Sequence, residues 1–235
     1  MTSTDHKISP ISIIIPTLNE AATIKATLDA VQLCAVLETI VVDGNSTDGT
    51  REIASHLGAQ VLVSTAGRAV QMNAGAAAAK GEILLFLHAD TLLPNDFTTQ
   101  VTTILTRPGI TAGAFALAID LPGIAFRLLE KAVAFRSTFL QMPYGDQAFF
   151  LYRQKFLEIG GYPEQPILED VLFLKRLKES GRIGIAVSPA LTSGRRWQGL
   201  GLIKTTLINQ GIMLGYLRGI SPQRLQHWYR ITQKI

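Results

Sequence analysis

Two stretches near the N-terminus decide the reading: SIIIPTLNE at residues 12–20 and TIVVDGNSTDG at residues 39–49. Each is a short β-branched run that stops abruptly in polar, turn-forming residues, which predicts strands at Ser12 to Ile15 and Thr39 to Val42. Between them, Asn19 and Glu20 open a helix whose apolar stripe is Ile24, Leu28 and Val31, spaced for one buried face. The same alternation continues. A helix from about Asp48 to Leu57 is stopped by Gly58, a third strand runs from Gln60 to Ser64, and an Ala-rich helix spans Gly67 to Ala79. A fully apolar fourth strand, Ile83 to Leu87, follows. Continuous apolar strands separated by helices mark a parallel sheet covered on both faces, so the first ~90 residues predict a Rossmann-like α/β unit.

The alternation loosens after Pro94. Helices are expected at Asn95 to Leu105, Ile124 to Phe139 and Glu169 to Ser180, the last capped by Gly181. Strands are expected at Thr111 to Ile119, Gln147 to Tyr152 and Ile183 to Val187, and a weakly amphipathic helical tail at Leu200 to Leu217. No linker, repeat or low-complexity tract divides the chain. The expectation is a single α/β domain over residues 1–235 with a mostly parallel central sheet flanked by helices.

Composition agrees. Hydrophobic residues are 47 % and charged residues 17 % of 235, which excludes intrinsic disorder. The 22 basic against 18 acidic side chains leave +4, and the densest basic group is the pair Arg195 and Arg196. A small anionic ligand suits that better than nucleic acid. Cys34 stands alone, so no intrachain disulfide forms and a reducing, cytoplasmic setting is expected. The apolar run before Pro16 is too short for a signal peptide, and Lys204, Asn209 and Gln210 interrupt the tail segment too centrally for a membrane span. That tail, flanked by Lys204, Arg218 and Arg224, remains a candidate for peripheral contact with the inner face of a membrane, for a homodimer interface, or for packing on the sheet.

Ligands of open parallel sheets bind beyond the carboxyl ends of the strands. Three such ends carry polar residues: Pro16 to Glu20, Asp43 to Gly49, and His88-Ala89-Asp90. Taken singly, Asn19 and Ser46 read as helix caps; three polar ends together read as a site. Neither a Gly-x-Gly-x-x-Gly fingerprint nor a phosphate-binding Gly-x-x-x-x-Gly-Lys-Ser/Thr loop is present. A nucleotide bound mainly by carboxylates, Asp43 toward base or ribose and Asp90 through a metal toward the diphosphate, remains consistent with these residues.

SIIIPTLNE, IVVDGNSTDGT, GRAVQMNAGAAAAKGEILLFLHADTLLP and YGDQAFFLYRQKFLEIGGYPEQPILEDVLFLKRLKESGR, in that order and spacing, resemble family 2 glycosyltransferases of the GT-A fold, and within them the small bacterial arsenosugar-biosynthesis-type subgroup. The resemblance runs from about Ser12 to Trp197. It implies a nucleotide-binding half (1–90), a donor and acceptor half (91–197) and a helical tail (198–235). It further implies that Pro16, Thr17, Glu20 and Asp43 hold the nucleotide. Arg68, after Gly67 at a helix start, suits an anion. The family's Asp-x-Asp motif is here His88-Ala89-Asp90, so Asp90 alone keeps the carboxylate that would anchor a divalent cation, Mn²⁺ or Mg²⁺, while His88 contacts ribose or joins as a ligand. Glu169-Asp170 matches the family's Glu-Asp pair, whose Asp is the general base of inverting members, which assigns that role to Asp170. Gly145, Asp146 and Gln147 fall where the family shapes its donor and acceptor pocket, and Arg195, Arg196 and Trp197 are placed to grip a diphosphate and stack on a sugar.

The expected function is glycosyl transfer from a nucleotide-diphosphate sugar to a small or lipid-linked acceptor, with inversion. Two alternatives are a nucleotidyltransferase and a nucleotide-sugar-binding or membrane-docking protein without turnover. The first normally needs a Gly-rich basic loop after strand one, which Pro16 to Glu20 is not; the second would follow from the change to His88.

Overall fold

A computed structural model describes residues 9–233 of the chain. The first half alternates strand and helix: β1 (Ile11–Thr17), α1 (Ile24–Gln32), β2 (Glu38–Asp43), α2 (Thr50–His56), β3 (Gln60–Val63), α3 (Arg68–Ala78) and β4 (Ile83–Phe86). There follow β5 (Thr91–Leu92), α4 (Phe97–Leu105), β6 (Ile110–Asp120), α5 (Ile124–Phe139), β7 (Phe150–Tyr152), α6 (Arg153–Glu158), α7 (Glu169–Ser180) and β8 (Arg182–Ser193). The chain closes on α8 (Arg195–Leu200), α9 (Leu202–Leu217) and α10 (Pro222–Gln233). All eight strands join one sheet in the order β3-β2-β1-β4-β7-β6-β8-β5. Strands β3 to β4 are mutually parallel, β7 runs antiparallel to both neighbours, β6 and β8 are parallel, and β5 closes the far edge antiparallel.

The pattern of β1 shows why the sheet is covered twice. Ile11, Ile13 and Ile15 join one hydrophobic cluster with Leu28 and Val31 of α1; Ile14 faces the other cluster, with Ala69, Met72 and Ala76 of α3. Alternate residues of a strand point to opposite faces, so a run of isoleucines serves both. Helix α3 lies close on the sheet because it presents Gly75 there: a Cβ at that position would stand 2.5 Å from Ile14 Cγ2.

Several boundaries differ from expectation for identifiable reasons. The strand expected from Gln147 starts only at Phe150, because Gly145–Gln147 is a 3₁₀ turn whose end is tied down when the Tyr144 N–H donates to Gln147 Oε1 at 3.2 Å. The strand expected to end at Val187 continues to Ser193 through Pro189, where the pairing with β6 slips register. A proline is tolerated there because the other neighbour, β5, pairs only with Leu191 and Thr192. Strand β5 and helices α6 and α8 are absent from the sequence reading, while α10 falls within the tail expected to be helical.

The strand order turns at β1 and β4: the chain moves outward from β1 to β2 and β3, then returns to β1's other side. That point, at the carboxyl ends of β1 and β4, is where ligands of such sheets bind.

Candidate functional site

The loops after β1 and β2 are stitched into one rim. The Thr17 hydroxyl donates to Asp43 Oδ1 (3.2 Å), the Ser46 N–H to Asp43 Oδ2 (2.8 Å), and Arg51 Nε stands 3.7 Å from the same carboxylate. Asp43 has no exposed surface, and its oxygens are committed to holding the loop that it begins. Gln71 of α3 completes the seam by donating to the carbonyls of Thr17 and Val42, both at 2.7 Å. Asn19 and Ser46 do not cap helices. The Asn19 N–H donates to Ser46 Oγ (2.8 Å) and Asn19 Oδ1 accepts from the Thr47 N–H (2.9 Å), with Asn19 itself in the left-handed region at φ 57°. Asp48 accepts from the Ala21 N–H and from Thr50, and these bonds, Thr50's first, hold its carboxyl below the usual range.

A narrow cleft opens at the switch point, lined by Pro16, Arg68, Met72, His88, Gly145, Tyr162 and Asp170. Gly145 sits where His88 and Asp170 converge: a Cβ there would lie 3.3 Å from His88 Nε2 and 3.5 Å from Asp170 Oδ2. The Gly145 N–H donates to Asp170 Oδ2 (3.0 Å) and the Val171 N–H to Oδ1 (2.8 Å), so backbone fixes the carboxylate at the edge of the cleft. Leu168, the residue before α7, is held at φ 65°, a conformation that costs a non-glycine residue about 1 kcal/mol or more. It delivers Glu169 and Asp170 together at the helix start. Glu169 is buried and pairs with Arg68 (3.1 Å), leaving Arg68 half exposed toward the cleft. Burial raises the Glu169 carboxyl against the pull of Arg68, and Asp170 adds to the rise.

Burial, reinforced by Arg68, pushes His88 down to about 3, so at neutral pH its imidazole is an uncharged hydrogen-bond partner. Asp146 is pushed up to about 6, chiefly by burial, with Arg136 opposing and Asp170 adding; its Oδ1 is buried without a partner. Arg136 lies 3.7 Å over the Tyr144 ring beside it.

On the opposite side of the rim, one guanidinium nitrogen of Arg195 donates to Glu20 Oε2 (2.8 Å) and to Asp90 Oδ2 (3.1 Å). The first loop, the turn after β4 and helix α8 therefore meet at one cation. Among the described residues, no three His, Cys, Asp or Glu side chains gather as a metal site.

The structure thus brings Pro16, Arg68, His88, Gly145 and Asp170 to one cleft, with Glu169 bound to Arg68 at its edge, and gathers Glu20, Asp90 and Arg195 at the rim. Thr17 and Asp43 build the rim from within. Three expected contacts fall elsewhere. Gln147 is fully buried: its amide accepts from the Ser137 hydroxyl (2.9 Å) and donates to the Phe115 carbonyl (2.8 Å), so it fixes the turn and does not reach a ligand. Arg196 donates to Asn209 Oδ1 (2.8 Å) and lies over Tyr229, turned to the tail. Trp197 packs with Leu121, Phe126 and Leu129 around the Leu117, Ile119 and Val133 cluster, where its ring is used in packing. Sequence reasoning missed Met72 and Tyr162 in the cleft lining and Gln71 and Arg51 behind it. Only Gly160-Gly161 before Tyr162 signalled a turn.

Comparison with known proteins places this geometry among relatives. The profile of Glycosyl transferase family 2 matches residues 12–160. A PGL/p-HBAD biosynthesis glycosyltransferase of Mycobacterium bovis is 44 % identical over 88 residues, 34 % of this chain and 34 % of that one. The succinoglycan biosynthesis protein ExoA of Rhizobium meliloti is 30 % identical over 139 residues, 52 % of this chain and 39 % of that one. The matches thus span little more than a third of these relatives. Among solved structures, a mannosyltransferase of Pyrobaculum calidifontis in complex with GDP-Man and Mn²⁺ aligns with TM-score 0.64 and 21 % identity, covering 93 % of this chain and 68 % of that one. Glucosyl-3-phosphoglycerate synthase of Mycobacterium tuberculosis, in complex with Mn²⁺, UDP and glucosyl-3-phosphoglycerate, aligns with TM-score 0.61 and 24 % identity, covering 85 % and 79 %.

Proposed function

The chain belongs to glycosyl transferase family 2 and has the GT-A fold, and on that premise we propose that it transfers a glycosyl group from a nucleotide-diphosphate sugar to a hydroxyl acceptor, with inversion at the anomeric carbon. The observation that carries the reading is the convergence of Asp170, Arg68 and His88 on one cleft at the switch point of the sheet. The Asp170 carboxylate takes the proton of the acceptor hydroxyl as its oxygen bonds to the anomeric carbon. The bond from that carbon to the diphosphate oxygen breaks on the opposite face, and the nucleoside diphosphate leaves with the electron pair. Two backbone N–H bonds keep Asp170 aimed, so little reorganisation is needed as the proton moves. Arg68, held by Glu169, faces the developing diphosphate charge, and neutral His88 offers a hydrogen bond to the donor.

Asp90 fits a divalent cation in part: it is an oxygen donor at the carboxyl end of the strand, with Glu20 on the other side of Arg195. Mn²⁺ or Mg²⁺ held there would neutralise charge on the leaving diphosphate. The motif resemblance supports assignment to the arsenosugar-biosynthesis-type subgroup, with a small or lipid-linked acceptor.

The decisive experiment is Asp170→Asn, assayed with UDP- and GDP-sugars. Turnover falls at least a thousandfold while donor-induced thermal stabilisation is kept. Retained turnover would remove Asp170 from the chemistry, and lost donor binding would make it a nucleotide ligand. A wild-type protein that binds donors but never turns over would be a binding protein.

A further inference from the structure

Helix α5 turns outward a stripe that no part of the described chain covers. Ile124, Leu128, Phe135 and Phe139 are 80 %, 60 %, 57 % and 72 % exposed. Their spacing puts them on one face, with exposed Lys131 between them. The rings of Phe135 and Phe139 lie 5.0 Å apart, in contact in the open. Helix α9 repeats the arrangement with Ile203, Leu207, Leu214 and Leu217 exposed on one face, while exposed Lys204 and Arg218 stand near its two ends beside that face. On α10, Trp228 and Ile231 are exposed with Arg224 on the same face. These helices form one block: Trp197 of α8 packs into the α5 cluster, α8 packs on α9, and α9 packs on α10.

Charge says what would cover such a surface. After Glu179 the chain has eight basic and no acidic side chains, although the first 179 residues carry 14 basic and 18 acidic. Arg195 among the eight is paired with Glu20 and Asp90, and Arg196 is turned inward onto Asn209. Lys204, Arg218 and Arg224 at the exposed faces, like Lys131 on α5, form no salt bridge among the described residues. Exposed apolar faces edged by unopposed cations are complementary to an interface that is apolar within and anionic at its surface. No helix among the described residues is long and apolar enough to cross a bilayer. We propose that the exposed faces of α5, α9 and α10 form a docking surface for a lipid bilayer carrying anionic headgroups, on which the protein lies without spanning. Docking is independent of the transfer reading, since it needs neither donor nor turnover.

Flotation of the full chain with phosphatidylcholine vesicles, with and without phosphatidylglycerol, at low and high salt, tests it. Binding is expected to anionic vesicles and to weaken with salt. Each basic side chain at the surface contributes about fivefold to partitioning, so Lys204→Ala with Arg218→Ala lowers it about twenty-fivefold. Phe135→Glu lowers it at least tenfold. All three positions are exposed, so circular dichroism and thermal midpoint stay at wild-type values and separate lost docking from lost folding. Protein that stays at the bottom of the gradient with both vesicle types overturns the proposal, as does binding that survives Phe135→Glu. Light scattering that shows a dimer, dispersed by Phe135→Glu and indifferent to vesicles, would assign the face to a second copy and overturn it equally.

Discussion

Replacing Gln147 with leucine tests how the cleft is held, because a side chain of similar volume is kept and only its polar atoms are removed. The amide stands at the centre of a buried network. It accepts from the Ser137 hydroxyl and, at 3.2 Å, from the Tyr144 N–H, and it donates to the Phe115 carbonyl. Ser137, Phe115 and Gln147 itself have no exposed surface. Arg136, a fourth partner, keeps its bond to the Met142 carbonyl and its stacking on Tyr144. Three groups are therefore stranded. At about 1–2 kcal/mol for each group left unsatisfied, the substitution costs about 3–6 kcal/mol. For a domain of this size each kcal/mol moves the melting midpoint by about 2–4 °C, so a fall of roughly 10 °C is expected by calorimetry, with a matching shift of the urea midpoint. Turnover measured well below the new midpoint also falls, because the turn ending at Gln147 carries the Gly145 N–H that orients Asp170. A loss under 1 kcal/mol with full turnover would refute both steps: the network would not be what fixes the turn, and the turn would not be what aims the carboxylate.

Other expectations follow from single contacts. Asp146→Asn stabilises the protein by roughly 1–3 kcal/mol at pH 7.5 and not at pH 4. With the folded carboxyl at about 6 against 3.8 unfolded, the fold binds more protons between those values, so its stability falls as pH rises through that window. Urea titrations at the two pH values check the sign. Gly75→Ala drives a methyl against Ile14 and lowers stability by about 1–3 kcal/mol, read by thermal melting. Arg195→Ala changes stability by less than about 1 kcal/mol, since its ion pairs are partly solvated, yet weakens donor binding about tenfold in calorimetric titration by removing the cation shared by Glu20 and Asp90. Arg68→Gln lowers kcat more than donor affinity, and kcat measured with both substrates saturating, set beside the donor Kd from calorimetric titration, separates the two.

The architecture was legible where burial dictates residue type. Strands β1, β2 and β4 of the parallel half are covered on both faces, so Ile13, Val41 and Leu85 toward one face and Ile14, Val42 and Leu84 toward the other had to be apolar, and such runs marked the strands within a residue or two. The site was legible as a set of loops, because strand ends that bind a ligand must be polar. Which way each polar side chain turns was not written in its spacing. Asp43, Gln147, Arg196 and Trp197 all face partners distant in sequence, and only packing shows that they serve the frame. Tyr162 reaches the cleft after a left-handed Gly-Gly pair, stacked on Phe173 with ring centroids 3.8 Å apart, a placement that no periodicity encodes.

The sheet order also has a history in time. Strand β4 is hydrogen-bonded on one edge to β1, which precedes it, and on the other to β7, whose residues come more than sixty positions later. A ribosome adds roughly 5–20 residues per second, so for several seconds the nascent parallel half carries an open, wholly apolar edge at Ile83 to Phe86. That edge is a template for the wrong strand. Crowding or slowed synthesis between residues 90 and 150 should therefore trap this protein as aggregate far more readily than heating the finished chain, and the pairing of Leu85 with Phe150 is the event that ends the exposure.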